Sequence, residues 1–336
     1  MTSDGRGSIG HDAAMAAIAA VADRSTGAVG LAARHLESGE TLAWRADEQF
    51  RTASMIKVAI HAAVMRRVRF GAFGLDDEIE LAESDLIGGS GVLAVLRPGM
   101  RCTVSDLCTL MIVVSDNTAT NMLIDLCGGV AVINDDLAAL GFPGIRLNRR
   151  LTMAPPPLTP AGGRRAEAAA APPSGTLATV TVSDFCELMA RLQGGTVVDA
   201  DASAEIIAVL RHQQHQSLFP RAYLDVAEPG NPPGSGGPAM AHKTGSVGGC
   251  RTEAGLLYLP GDGGTVAYAA AADRLADRTM TALAEGNEVL GLLGAIVLAR
   301  WWPGPGPVPV REGWIPNGSG WLAASAPSPG LSGAAQ

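Results

Sequence analysis

The sequence predicts an α+β fold: an antiparallel sheet flanked by an N-terminal and a C-terminal helix, with an all-helical lobe inserted between the two halves of the sheet. Three observations point there. Period-two apolar runs cluster at the two ends of the chain. A long central stretch follows the helical period instead. Two copies of TVSD, at 103–106 and 181–184, each offer a hydroxyl at a helix N-cap and a carboxylate three residues on, as in a capping box.

Taken in order, residues 12–23 are alanine-rich and amphipathic and read as the first helix. Residues 27–35 and 41–50 read as strands joined by the turn Glu37-Ser38-Gly39-Glu40. Helical patterning then runs from about 53 to 215. Strands return at 238–246, 254–260 and 265–272, with GDGG as one hairpin turn, and a helix over 288–302 ends before Pro303. The expected organisation is one domain over 1–302. Its α/β lobe comprises 12–52 and 216–302, its helical lobe 53–215, and a cleft separates the two. Three segments are low-complexity: 154–175, 228–238, and a Pro/Gly/Ser-rich tail over 303–336 that is expected to be disordered.

Composition narrows the function classes. The chain has 336 residues, 47 % apolar and 17 % charged, which suits a globular body with a sizeable core. The formal net charge of -8, with no basic stripe, argues against nucleic-acid binding. The five cysteines lack CxxC spacing and read as reduced thiols rather than a disulfide frame or zinc site. The N-terminus carries Asp4 and Asp12 beside Arg6 and has an alanine core. It therefore reads as mature protein rather than signal peptide, and a cytoplasmic location follows unless the true start lies elsewhere. The apolar run 289–299 is too short for a membrane span. No metal or organic cofactor is implied. The expected partner is a small-molecule substrate, and the expected state is a monomer.

Of 25 basic residues only two are lysines, Lys57 and Lys243. Each sits in a short motif with chemistry. Ser54-Met55-Ile56-Lys57 puts a hydroxyl and an amine on one face at a helix start. Lysine can act as a base when burial lowers its pKa, whereas arginine stays protonated. The helix N-terminus adds free N–H groups suited to a developing oxyanion. Ser115-Asp116-Asn117 lies between two apolar helical runs, where a second hydroxyl and an amide would project from a polar turn; an ordinary N-cap turn has the same composition. His242-Lys243-Thr244-Gly245, on a strand expected to face the cleft, supplies a cation, a hydroxyl and a glycine that lets a substrate approach the backbone. An edge-strand lysine that discourages aggregation is the plainer reading. Each motif alone is weak.

Together, once each and in the order SxxK, SDN, KTG, they resemble the serine β-lactamase and penicillin-binding-protein family, specifically its class A β-lactamase-like branch. The resemblance runs over about residues 12–302 and includes GGSGVL (88–93) and TLMIVVSDNTATNMLID (109–125). It implies a β-lactamase/transpeptidase-like fold and a serine hydrolase that opens a cyclic amide through an acyl-serine intermediate. By that resemblance Ser54 matches the nucleophile, Lys57 the base or proton relay, and Ser115 the proton donor to the leaving nitrogen. Asn117 matches the holder of the substrate's side-chain amide, and Lys243 and Thr244 the anchor of a substrate carboxylate. The N–H groups of Ser54 and Ser246 match the oxyanion hole. Arg251 is either a further carboxylate contact or a strand-end charge. His242 reads as a packed neighbour, and His212 and His215 as solvated.

The pattern breaks at one place. Class A β-lactamases deacylate with a water activated by a glutamate in a loop after the helical core, just past an arginine. In Arg146-Leu147-Asn148-Arg149-Arg150-Leu151, Leu151 falls at that position. Between Gly141 and Ser183 the one carboxylate is Glu167, in the Ala/Pro-rich stretch, where a solvated loop residue is the simpler reading. Acylation is therefore expected with deacylation in doubt. A DD-peptidase, esterase or acyltransferase on the same fold is the alternative enzyme, and a stalled penicillin-binding or sensing protein the alternative of another class. Trp301 and Trp302 read as packing at the end of the last helix.

Overall fold

The computed structural model describes residues 8–153, 175–222, 229–230 and 237–302. The chain opens with helix α1 (His11–Arg24), strands β1 (Ala28–His35) and β2 (Thr41–Trp44), and the short β3 (Gln49–Arg51). A 3-10 turn (Ala53–Ile56) leads into α2 (Lys57–Arg69). Strands β4 (Glu78–Glu80) and β5 (Arg101–Thr103) precede α3 (Val104–Val113), α4 (Asn117–Leu126) and α5 (Val130–Ala139). After β6 (Arg146–Leu147) and β7 (Ala178–Thr181) come α6 (Val182–Gln193) and α7 (Ala200–Leu210). The chain then closes with β8 (Ala239–Val247), β9 (Cys250–Tyr258), β10 (Thr265–Asp273) and α8 (Glu285–Trp301).

The main sheet has the order β2-β1-β10-β9-β8 and is antiparallel throughout, so the two ends of the chain meet at the β1–β10 pair. Central β10 is buried along its whole length, and period two sorts its side chains. Val266, Tyr268, Ala270 and Ala272 pack with residues of α1 and α8. Ala267, Ala269 and Ala271 join the core of the helical side. Alanine there lets α6 lie close on the sheet, where the Cys186 thiol donates to the Ala267 carbonyl at 3.3 Å. Strand β8 is the edge, and its position beside the 3-10 turn creates the cleft wall.

Three expectations need correction. The stretch 41–50 is not one strand. Arg45 takes a left-handed conformation (φ 44) and binds Glu48, its Nε 2.6 Å from Oε1. This turn carries residues 49–51 out of the main sheet into a small one of order β3-β7-β6. The insert is also not all-helical, because β4 pairs with β5 and β7 joins β3 to β6. Finally α6, placed by sequence in the helical lobe, covers the inner face of the main sheet. The Thr103 cap forms both halves of its box with Asp106; at Thr181 the hydroxyl accepts from Asp184 N at 3.1 Å. The low-complexity stretch 154–174, with Glu167, and the tail 303–336 lie outside the described residues, as does most of 228–238. Among the described residues no helix is long and apolar enough to cross a membrane.

Helix α8 offers a test of packing against propensity. Glycine to alanine in a helix interior normally stabilises by about 1 kcal/mol. At Gly294 a Cβ would strike the Phe219 carbonyl group, which is backbone; at Gly291 it would meet the flexible Arg221 side chain, nearest at 3.2 Å. Gly294→Ala is expected to destabilise by about 1–3 kcal/mol, and Gly291→Ala to be neutral or stabilising, in urea denaturation. Equal effects at the two sites would contradict this packing.

Candidate active site

The Ser54 turn is clamped from two sides. Before it, Arg51 on β3 donates from Nε to Asp273 at the end of β10 (2.7 Å) and from Nη2 to the Gly249 carbonyl in the β8–β9 hairpin (3.0 Å). Ala53 then takes a left-handed φ of 44, an unfavourable state for a residue with a Cβ, of the sort that gathers at functional sites. The Thr52 carbonyl accepts from Met55 N (3.0 Å) and from the Thr252 hydroxyl of β9 (2.6 Å). In a 3-10 turn, side chains three residues apart eclipse one another, so Lys57 follows Ser54 on the same face. Ser54 is half-buried; Lys57 is fully buried.

Gly245 serves a purpose different from the one expected. A Cβ there would collide with the Thr252 hydroxyl, with Thr52 O at 2.6 Å and with Met55 N at 2.9 Å. The bare backbone of β8 lets the serine-bearing turn itself pack against the strand, rather than leaving room for a substrate.

Across the cleft, Lys57 Nζ donates to the Ser115 carbonyl (2.8 Å), the Ser115 hydroxyl (3.1 Å) and Asn117 Oδ1 (2.9 Å). Ser115 has φ 56, which folds its carbonyl and its hydroxyl toward the same amine. Asp116 caps α4 by accepting from Ala119 N (2.9 Å) and holds the 88–95 loop through Val92 N (2.6 Å) and Leu93 N (2.8 Å). Asn117 Nδ2 donates to the Gly88 carbonyl (3.0 Å) and contacts the Met153 sulfur (3.7 Å). The SDN turn is thus a junction that joins the amine, the GGSGVL loop and the segment after α5.

Burial pushes Lys57 well below the usual lysine range; the nearby charge of Lys243 adds to the shift and Asp116 opposes it. Burial likewise brings Lys243 down to about 7, against a pull upward from Glu253. Lys243 Nζ donates to the Thr244 carbonyl at 2.8 Å. Thr244 is buried beside it, and Ser246 is exposed at the end of β8.

Other candidates fall outside this group. Arg251 is 3 % exposed and spends its donors on structure: Nε on Asn287 Oδ1 (2.7 Å), Nη1 on the Val247 and Cys250 carbonyls (3.0 and 2.9 Å), Nη2 on the Thr279 carbonyl (2.6 Å). It braces the hairpin to α8 with four of its five N–H donors. His242 is a packed neighbour, its Nδ1 2.8 Å from the buried Glu253 carboxylate without hydrogen-bond alignment. His212 and His215 are exposed. The five cysteines are free and buried, and no cluster of metal-ligating side chains occurs among the described residues.

Leu151 is held by its backbone, not by its side chain. Asn121, one helical turn after Asn117, donates from Nδ2 to the Leu151 carbonyl (2.9 Å) and accepts from Leu151 N (3.1 Å). Sequence reading passed over Asn121 and Met153. The i,i+4 spacing of Asn117 and Asn121 was a usable signal for the first; nothing local marks the second.

The chain matches the β-lactamase enzyme family over residues 13–301, and it belongs to that family. Its fold is similar to that of a β-lactamase from Sphaerobacter thermophilus, at 30 % identity and TM-score 0.72, covering 88 % of this chain and all (100 %) of that one. A class A β-lactamase from Mycobacterium abscessus is 24 % identical with TM-score 0.68, covering 85 % of this chain and 98 % of that one. A leucine-to-glutamate mutant of PBP-A, in an acyl-enzyme complex with penicillin G, is 24 % identical with TM-score 0.67, covering 85 % of this chain and 94 % of that one.

The buried lysines have a thermodynamic signature. Lys243 releases its proton near 7 when folded and near its ordinary 10.5 when unfolded. Between those values the unfolded chain binds the extra proton, so stability rises with pH. The downward shift of Lys57 acts with the same sign. Lys243→Met is expected to exceed wild type in stability by most below pH 7, with the gap closing as pH rises toward 10.5. Denaturation of both proteins at pH 6 and pH 9 reads this; a gap independent of pH contradicts it.

Proposed function

We propose that this member of the β-lactamase enzyme family is a serine hydrolase that opens a cyclic amide such as a β-lactam through an acyl-Ser54 intermediate, and that the intermediate is long-lived. The observation that carries the reading is the buried Lys57 amine, one 3-10 turn from Ser54 and bonded to both Ser115 and Asn117. A neutral amine keeps two N–H donors and gains a lone pair. Lys57 in that form takes the Ser54 proton as Oγ attacks the carbonyl carbon. The oxyanion is met by the N–H groups of Ser54 and Ser246. When the C–N bond breaks, the proton held on Lys57 passes through the Ser115 hydroxyl to the leaving nitrogen. Lys243 and Thr244 anchor the substrate carboxylate, and Asn117 takes part in holding its side chain.

Deacylation needs a water and a base. By the resemblance Leu151, whose backbone Asn121 holds, stands where class A relatives carry glutamate, and it offers an alkyl group. That favours a second reading on the same chemistry, a penicillin-binding protein or acyltransferase in which the acyl group waits for another acceptor. PBP-A, of similar fold, was captured as a penicillin G acyl-enzyme in a leucine-to-glutamate mutant.

Intact-mass measurement with a penicillin and a cephalosporin tests this. A lasting adduct of one acyl group is expected on wild type and none on Ser54→Ala. Leu151→Glu is expected to shorten the adduct's lifetime by about 10²- to 10⁴-fold, the usual worth of a positioned general base. Rapid turnover by wild type contradicts the long-lived intermediate; binding and biological effect unchanged in Ser54→Ala favour a sensor over an enzyme.

A further inference from the structure

Helix α2 carries the Lys57 amine at its start and Arg66, Arg67 and Arg69 in its last turn. Around that far end lies a cavity of about 380 Å³, between the ends of α2 and α5 and the link from α6 to α7. Its volume is within the range of small-molecule sites. Basic residues at a helix C-terminus are ordinary, because they meet its free carbonyls and the negative end of its dipole. That explains part of the cluster and leaves the rest.

Arg67 is spent on the buried Asp136 carboxylate, to which it donates from Nε (2.5 Å) and Nη2 (2.9 Å). Arg66 gives that carboxylate only its Nε (3.1 Å), and neither of its Nη groups has a hydrogen-bond partner among the described residues. Its guanidinium lies 4.5 Å from the centre of the Phe70 ring, which is 68 % exposed. Arg191 has no carboxylate partner among the described residues; Nη1 and Nη2 donate to the Leu140 and Thr196 carbonyls at 2.8 and 3.0 Å. Three arginines, Arg66, Arg69 and Arg191, thus line the cavity with a single carboxylate, Asp199. That carboxylate is already engaged by Arg69 Nε and by Ala202 N at the start of α7 (2.9 Å). Asp136 and Asp201 pair with these arginines without lining the space. The remaining wall is apolar and includes Val198, whose left-handed φ of 64 is an outlier for a β-branched residue, of the kind that gathers at binding sites.

We propose that this cavity is a second binding site, for a small aromatic monocarboxylate whose anionic group pairs with Arg66 and Arg191 and whose ring lies against Phe70 and Val198. A guanidinium fork takes a planar carboxylate through two parallel bonds, and the Arg66 Nη groups are free to do so. The flat apolar body of the ligand covers the exposed ring. The site lies at the opposite end of α2 from the Ser54 chemistry and does not depend on it.

Calorimetric titration of the full chain with 2-naphthoate tests this. One saturable site with a Kd of about 1 mM or below is expected for a ligand of that size. Neutral 2-naphthamide is expected to bind at least about tenfold more weakly, for want of the charged hydrogen bonds. Arg66→Met should weaken naphthoate by a similar factor of about ten; Asp136 keeps both bonds from Arg67, so the fold is retained. Ala139→Phe, at an exposed position on the cavity wall, should fill the space and abolish binding. Lys243→Met should leave binding unchanged. Absence of saturable binding, equal affinity for acid and amide, or affinity that neither Arg66→Met nor Ala139→Phe moves overturns the site. Binding lost in Lys243→Met and kept in Ala139→Phe puts the carboxylate in the Ser54 cleft and overturns it as well.

Discussion

A lysine amine removed from water must either find an acceptor for each of its three hydrogens or give up its proton, and Lys57 is placed where it can do both. Its three bonds reach the carbonyl and hydroxyl of Ser115 and the amide oxygen of Asn117. That one side chain ties the start of α2 to the turn between α3 and α4. Through Asp116 and Asn117 the same turn holds the 88–95 loop, and one helical turn on, Asn121 of α4 holds Leu151. Burial makes the proton easy to lose, and the contacts fix where the lone pair appears once it has gone.

The sheet supplies the other half of the constraint. Small residues on its inner face let helical elements come close, and at Gly245 this lets the serine-bearing turn pack directly on the edge strand. Arg51 on Asp273 and Thr252 on Thr52 hold that turn from the sheet side. The left-handed conformation at Ala53 is sustained by these contacts, and that at Ser115 by the bonds that its carbonyl and hydroxyl accept from the Lys57 amine.

The sequence made the sheet strands and the three motifs legible because their signals are local. Period two marks β8 to β10, turn residues mark GDGG, and two lysines in an arginine-rich chain mark the two buried amines. What it hid depends on distant contacts. The break after Trp44 follows from a left-handed arginine and its ion pair, which no propensity announces. Arg251 kept two readings because two of its partners, the Thr279 carbonyl and Asn287, lie 28 and 36 residues on, before and at the start of α8. The role of Gly245 is visible only when Thr52, Met55 and Thr252 are brought against it. Met153 has no motif at all, and its contact with the Asn117 amide depends on the absent Cβ of Gly89.

The account stands or falls on the protonation of Lys57, and the composition makes this directly measurable. With only two lysines in the chain, lysine-selective ¹⁵N labelling yields two side-chain amine signals. Single substitutions Lys57→Met and Lys243→Met assign them, and a pH titration by NMR reads each. The account predicts one amine that titrates at about 7, Lys243, and a second, Lys57, that deprotonates well below the ordinary lysine range. Two amines that both keep their protons to the ordinary 10.5 would contradict it, since Lys57 would then have no lone pair to offer Ser54.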